Sequence, residues 1–155
     1  MKMQVRLKGA EDIKQRLNLL PKEIAGQELR EVALQGAEVI RKQAEANALQ
    51  HKKSGTLAGD IHAEIARESL GQQVIVHIGP GKEGWYGRLV EFGHANVRVT
   101  ARERRGRRVY RTKKQLGQVP PHPWLRPAFD TTKEQAQNLM ADEFRRRLER
   151  IWRRR

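Results

Sequence analysis

Two short segments constrain this chain more than any other part of it. One is Trp85-Tyr86-Gly87-Arg88-Leu89-Val90-Glu91-Phe92-Gly93-His94, the other Pro120-Pro121-His122-Pro123-Trp124-Leu125-Arg126-Pro127-Ala128-Phe129-Asp130. Together they hold two of the three Trp and four of the six Pro. Proline fixes φ and biases the preceding residue away from helix, so the second segment must begin as an extended strut. Gly93 is a candidate for a tight turn with positive φ. Large apolar anchors and rigid backbone are scarce elsewhere, which points to a shape that is held rather than a reaction that is run. With eight aromatics in 155 residues, the core must rest on Leu, Ile, Val and Ala. The length suits one domain over residues 1–155.

Around these segments the periodicity predicts an α+β chain. Val5 and Leu7 suit a short strand, and Ile13, Leu17 and Leu20 recur at helical spacing up to Pro21. Residues 22–50 carry the strongest helical signal, with an apolar stripe of Ile24, Leu29, Val32, Ala33, Gly36, Val39, Ile40 and Ala44. The small residues from Ala44 onward predict close packing or a subunit contact. Residues 62–79 alternate around a turn at Gly71 and read as a β-hairpin, stopped by Gly79-Pro80-Gly81. A short helix is expected over 85–92 and a second hairpin over 97–112. The last helix is expected to start at Pro127, or after Asp130 with Thr131 and Glu134 as a capping box. Ala136, Met140, Phe144, Leu148 and Ile151 form its apolar seam.

The net charge of +14 sits in two places. Residues 94–119 carry nine basic residues and one acid, Glu103, a net of +8; residues 145–155 carry seven basic residues and Glu149, a net of +6. The rest of the chain is neutral. A basic arm over 95–119 and a basic tail over 145–155 therefore hang on a neutral body. Arg98, Arg102, Arg104, Arg105, Arg107, Arg108 and Arg111 dominate the arm, and guanidinium forks match phosphate or carboxylate oxygens. With Tyr110 as its only aromatic, the arm lacks the stacking platforms of single-strand binders. Arg153, Arg154 and Arg155 close the tail, where the helix dipole accounts for one or two cations but not seven.

The chemistry of catalysis is missing. The five His (His51, His62, His77, His94 and His122) stand at no metal-ligand spacing, and no nucleophile motif or phosphate loop occurs. Gly79-Pro80-Gly81-Lys82 lacks the spacing of a phosphate loop. The absence of Cys excludes disulfides and Cys-ligated zinc, and fits a reducing cytoplasm. The N-terminus has no long apolar run, so neither a signal peptide nor a membrane span is expected. No cofactor and no enzymatic activity are expected.

Several motifs stand in a definite order: a long helix, Ser54-Gly55-Thr56-Leu57 with Ile61, a strand ending Ile78-Gly79-Pro80, then Tyr86-Gly87-x-Leu89-Val90-Glu91-Phe92-Gly93-His94, then Pro121-x-Pro123-Trp124-Leu125-Arg126-Pro127-Ala128-Phe129. This series resembles the small tail-completion, or neck, proteins that join head to tail in long-tailed double-stranded DNA bacteriophages. His94 stands where that family usually has Thr, and Trp124 where Phe is common. The stretch 98–114 is longer and more basic than the family's usual loop.

The resemblance implies a small, mainly antiparallel sheet packed against a long helix and a C-terminal helix. It implies a non-enzymatic structural protein of the virion, assembled in the host cytoplasm into a ring that is often a hexamer. The expected neighbours are tail terminator or tail tube, head connector, and packaged DNA as a non-specific contact. Trp85, Tyr86, Phe92, Gly93, Pro123, Trp124 and Phe129 are the candidate structural or interface anchors. Two other readings stay open: a tail terminator or head-closure protein, and a sequence-independent nucleic-acid binder acting through the arm.

Overall fold

The computed structural model describes residues 22–50, 55–66, 73–105 and 108–153. The expected strand at Val5 and Leu7 and the helix over 13–20 lie outside them. The fold is α+β, in the order α1 (Lys22–Gln50), α2 (Thr56–Gly59), β1 (Ile61–Ile65), β2 (Val76–Pro80), α3 (Gly87–Phe92), β3 (His94–Arg105), β4 (Arg108–Val119) and α4 (Leu125–Arg153). The chain forms two compact units: one runs up to Trp85 and resumes at Trp124, the other spans Tyr86–Pro123. Both boundaries fall inside the two segments singled out above.

In the first unit, α1 and α4 pack antiparallel, each burying a row of residues four apart. Val32, Gly36, Ile40, Ala44 and Ala48 face inward from α1. Ala128, Thr132, Ala136, Phe144 and Leu148 do so from α4, with half-buried Met140 completing the row. Rows of i±4 spacing form the ridges by which helices interlock. Val32, Phe144 and Leu148 make a cluster against which Leu29, Met140 and Ile151 pack. Toward the other end the residues shrink to Ala44, Ala48 and Ala128, all buried, so the small residues of α1 serve packing within the chain. There the Asn47 amide donates to the Trp124 carbonyl at 3.0 Å.

α4 begins at Leu125, earlier than either expected start. A proline in the first helical turn costs no hydrogen bond, because the first N–H groups of a helix have no partner within it. Pro127 is therefore accommodated inside α4. Thr131 is not a cap: its hydroxyl donates back to the Pro127 carbonyl at 2.9 Å, as Thr132 does to Ala128 at 2.7 Å. Trp124, just before the helix, is only 2% exposed.

β1 and β2 pair antiparallel, and α1 packs against them. Ile61 is buried and Ala63 and Ile65 are half-buried, while His62 and Glu64 between them are exposed. Pro80 stands opposite Ile61, and the adjacent bond runs from the Gly81 N–H to the Asp60 carbonyl at 2.8 Å. That makes Ile61–Pro80 a non-hydrogen-bonded pair, where a missing N–H is harmless.

The second unit holds α3 and the β3–β4 hairpin. Each strand runs twelve residues, longer than the expected 97–112. Gly106 and Arg107, between the two strands, lie outside the described residues. The register slips at Asn96/Val97 and at Val99/Ala101, leaving Leu116 and Thr100 as the extra residues. Such bulges sharpen the local twist of a ribbon.

Candidate assembly surface

Gly93 links α3 to β3 with φ +71° and ψ 172°. A β-carbon there would stand 2.6 Å from the Val119 carbonyl oxygen and 3.0 Å from the Pro121 nitrogen. The position therefore demands glycine twice, for its backbone angle and for its space. The outgoing chain is also tied to α3: the His122 N–H donates to the Val90 carbonyl at 2.8 Å. The Tyr86 carbonyl starts the helix by accepting from the Leu89 and Val90 N–H groups. The two anchor segments thus meet at the base of the ribbon through backbone contacts.

The candidate anchors separate into two sets. Trp124 belongs to the core, and Phe129 is half-buried. Trp85 is 70% exposed and Phe92 58% exposed, while Pro123 is also on the surface. Leu89, Val97 and Leu116, none of them singled out as an anchor, are exposed as well. Leu89 and Phe92, three apart on α3, share one face of it. Val97 and the bulge residue Leu116 lie at the ribbon base. Their signal in the sequence was weak, because a lone Val or Leu in a strand reads as core.

The first unit carries a mainly apolar groove of about 500 Å³ lined by Leu34, Val39, Ala63 and Leu139 together with Gln35, Glu38 and Lys42. Glu38 is held ionised by Arg41, whose guanidinium donates to it at 2.6 Å and to Glu45 at 3.0 Å. The hydrogen bond from Arg41 keeps the Glu38 carboxyl below its usual range.

A second organised region was missed from the sequence. The Asp60 carboxylate accepts from the Gly84 N–H at 2.5 Å and pairs with His62 Nε2 at 3.0 Å. The Gly84 bond, then the His62 bond, pull its pKa below the usual carboxylate value. β-Carbons on Gly81 or Gly84 would press on Asp60, at 2.6 Å and 3.2 Å. The glycines after β2 thus wrap a loop around a carboxylate and do not open toward an anion.

The basic residues also divide. Arg98, Arg102, Arg104, Arg105, Arg108 and Arg111 lie in β3 and β4. Arg153 ends α4 exposed, and Arg154 and Arg155 lie outside the described residues. Arg147, which the sequence placed in the basic tail, turns inward instead. Its guanidinium bonds Glu28 at 2.8 Å, Glu143 at 3.0 Å, and Glu31, clamping α4 onto α1. These bonds, Glu28 first, raise its pKa. Arg145 and Arg146 stand 3.6 Å and 3.4 Å from Asp142 and Glu143. Among the described residues, no group of three or more His, Asp or Glu is placed to hold a metal ion, and no helix is long and apolar enough to cross a membrane.

In the first unit α1 packs on α4 and on the β1–β2 hairpin; in the second the base of the ribbon is pinched at Gly93 and leaves apolar residues exposed. The family model described as "Bacteriophage HK97-gp10, putative tail-component" matches residues 11–93, more than half of the chain, and the chain belongs to that family. It is a family of structural tail components rather than of enzymes, and a tail component is part of the virion. The match ends at Gly93, so the ribbon and α4 lie beyond it. No curated protein and no solved structure matches the chain.

Proposed function

We propose that this chain is a neck protein, joining the head-proximal end of the tail to the head connector as one subunit of an oligomeric ring. The observation that carries the reading is the set Leu89, Phe92, Val97 and Leu116, exposed on a unit whose backbone Gly93 fixes. Apolar residues left on a rigid frame favour association, because burying them removes apolar surface from water without an ordering cost in the frame. A ring needs a heterologous contact, in which one surface of a subunit meets a different surface of the next. The α3 face of one copy and the Leu34–Val39–Leu139 groove of the next supply two such surfaces.

Light scattering and negative-stain imaging of the purified chain with tail tubes and connectors test this. Rings seated at tube ends are expected, and Phe92→Arg should abolish them while leaving the melting temperature of the subunit unchanged. A chain that stays monomeric and binds neither tubes nor connectors refutes the reading. Rings that cap tubes but ignore connectors would make it a tail terminator, and rings that bind connectors alone a head-closure protein.

A further inference from the structure

The register of the β3–β4 ribbon sets cation against cation. Arg98 stands opposite Lys114, Arg102 opposite Arg111, and Arg105 opposite Arg108. Like charges directly opposed across a sheet destabilise it. The one acid of this stretch, Glu103, stands opposite Tyr110, on the face of Arg98, Arg105, Arg108 and Lys114, and leaves that face net basic. Successive strand residues alternate between faces. One face therefore carries Arg102, Arg104, Arg111 and Lys113. The other carries Arg98, Arg105, Arg108 and Lys114. Neither face is apolar enough to be buried, and both are basic.

We propose that the β3–β4 ribbon binds duplex DNA by lying in a groove and contacting phosphates on both walls, independently of base sequence. An acidic protein surface would neutralise one face of the ribbon and leave the opposed cations of the other unrelieved. A groove flanked by phosphate chains on two sides relieves both. The dimensions agree: the major groove, about 12 Å wide, admits a two-stranded ribbon. Twelve residues at about 3.4 Å each extend roughly 40 Å, close to one helical turn of about 34 Å. Phosphate contacts position a protein without reading sequence, which suits a segment with one aromatic. The cations of α4 are weaker candidates, since Arg145, Arg146 and Arg147 already have carboxylate partners. This proposal stands apart from the ring reading, since it concerns the ribbon of the chain in any oligomeric state.

The test is fluorescence anisotropy of a mixed-sequence 30-base-pair duplex with the full chain, between 50 and 200 mM salt. Two variants each remove four charges: Arg98→Gln, Arg102→Gln, Arg105→Gln and Arg111→Gln in the ribbon, or Arg145→Gln, Arg146→Gln, Arg150→Gln and Arg153→Gln in α4. The wild-type affinity should fall about a thousandfold over this range, as for about six phosphate contacts. The ribbon variant should lose more than tenfold at 100 mM salt, with its log–log slope flattened by about 3. The α4 variant should change less than threefold. Equal losses in the two variants overturn the proposal, as does wild-type affinity that ignores salt. Binding of polyglutamate in preference to the duplex also overturns it and assigns the ribbon to an acidic protein. If the ribbon variant fails a circular-dichroism check of folding, Arg→Lys at the same four positions replaces it. That variant should keep the full slope, and its loss of binding rejects the proposal.

Discussion

Gly93 and Val119 approach so closely that a β-carbon on Gly93 would stand 2.6 Å from the Val119 carbonyl oxygen. His94 pairs with Val119 in the register, and the His122 N–H reaches back to Val90. The strand leaving the ribbon is thus fixed against the helix entering it.

Gly93→Ala should therefore destabilise the chain by about 3 kcal/mol, combining a glycine-only backbone angle with a backbone clash. Gly117, at φ +123° with nothing within 4 Å of an added β-carbon, supplies the comparison. Gly117→Ala should cost about 1–2 kcal/mol from strain alone. Urea unfolding measures both, and equal costs would show that the Gly93–Val119 contact is immaterial.

Gly36 meets α4 through Met140, whose Cγ and Sδ would lie 2.5 Å from an added β-carbon. Alanine gains about 1 kcal/mol of helix propensity over glycine, against about 1–3 kcal/mol for overpacking. Gly36→Ala should be net destabilising in the wild type and stabilising beside Met140→Ala, where the space is open. A double-mutant cycle that closes additively contradicts this interlock.

Arg147 separates three carboxylates, Glu28, Glu31 and Glu143. Arg147→Gln should cost about 1–2 kcal/mol at low ionic strength, as hydrogen bonds to charged groups are lost. The cost should shrink in 1 M salt, where repulsion among the carboxylates is screened. Arg145→Gln and Arg146→Gln, at exposed pairs, should each change stability by less than about 0.5 kcal/mol. Chemical unfolding at two salt concentrations decides, and an Arg147 cost that matches its neighbours removes the clamp.

The Asp60 carboxyl titrates below its unfolded value in the folded chain, chiefly through the Gly84 N–H. A depressed pKa means that the folded state favours the ionised form. Its contribution is full above the unfolded value of about 4 and is lost as pH falls through the lower folded value. The stability gap between wild type and Asp60→Asn should be open at pH 5 and narrow below pH 4. Thermal melts across that range check the sign, and a gap that widens in acid rules it out.

Local patterns made much of the frame legible. The span 22–50 is rich in good helix formers and interrupted by no proline, and α1 occupies it whole. Alternation around Gly71 gave the β1–β2 pairing. The candidate site was legible only in part. Trp85 and Trp124 look alike in the sequence, each a large aromatic in a rigid segment, yet one lies on the surface and the other in the core. Asp60 and Gly84 are 24 residues apart, so no local pattern links them.

What the sequence alone determined was set by short-range physics: helix formers and strand alternation, the +8 arm within 94–119, and the glycine at 93. What tertiary structure decided depended on partners distant in the chain. It seated Trp124 beside α1, drew Arg147 out of the basic tail toward Glu28 and Glu31, and set the start of α4 at Leu125. It also chose the register that opposes arginine to arginine. Burial and charge pairing depend on what stands opposite a residue, and only folding determines that.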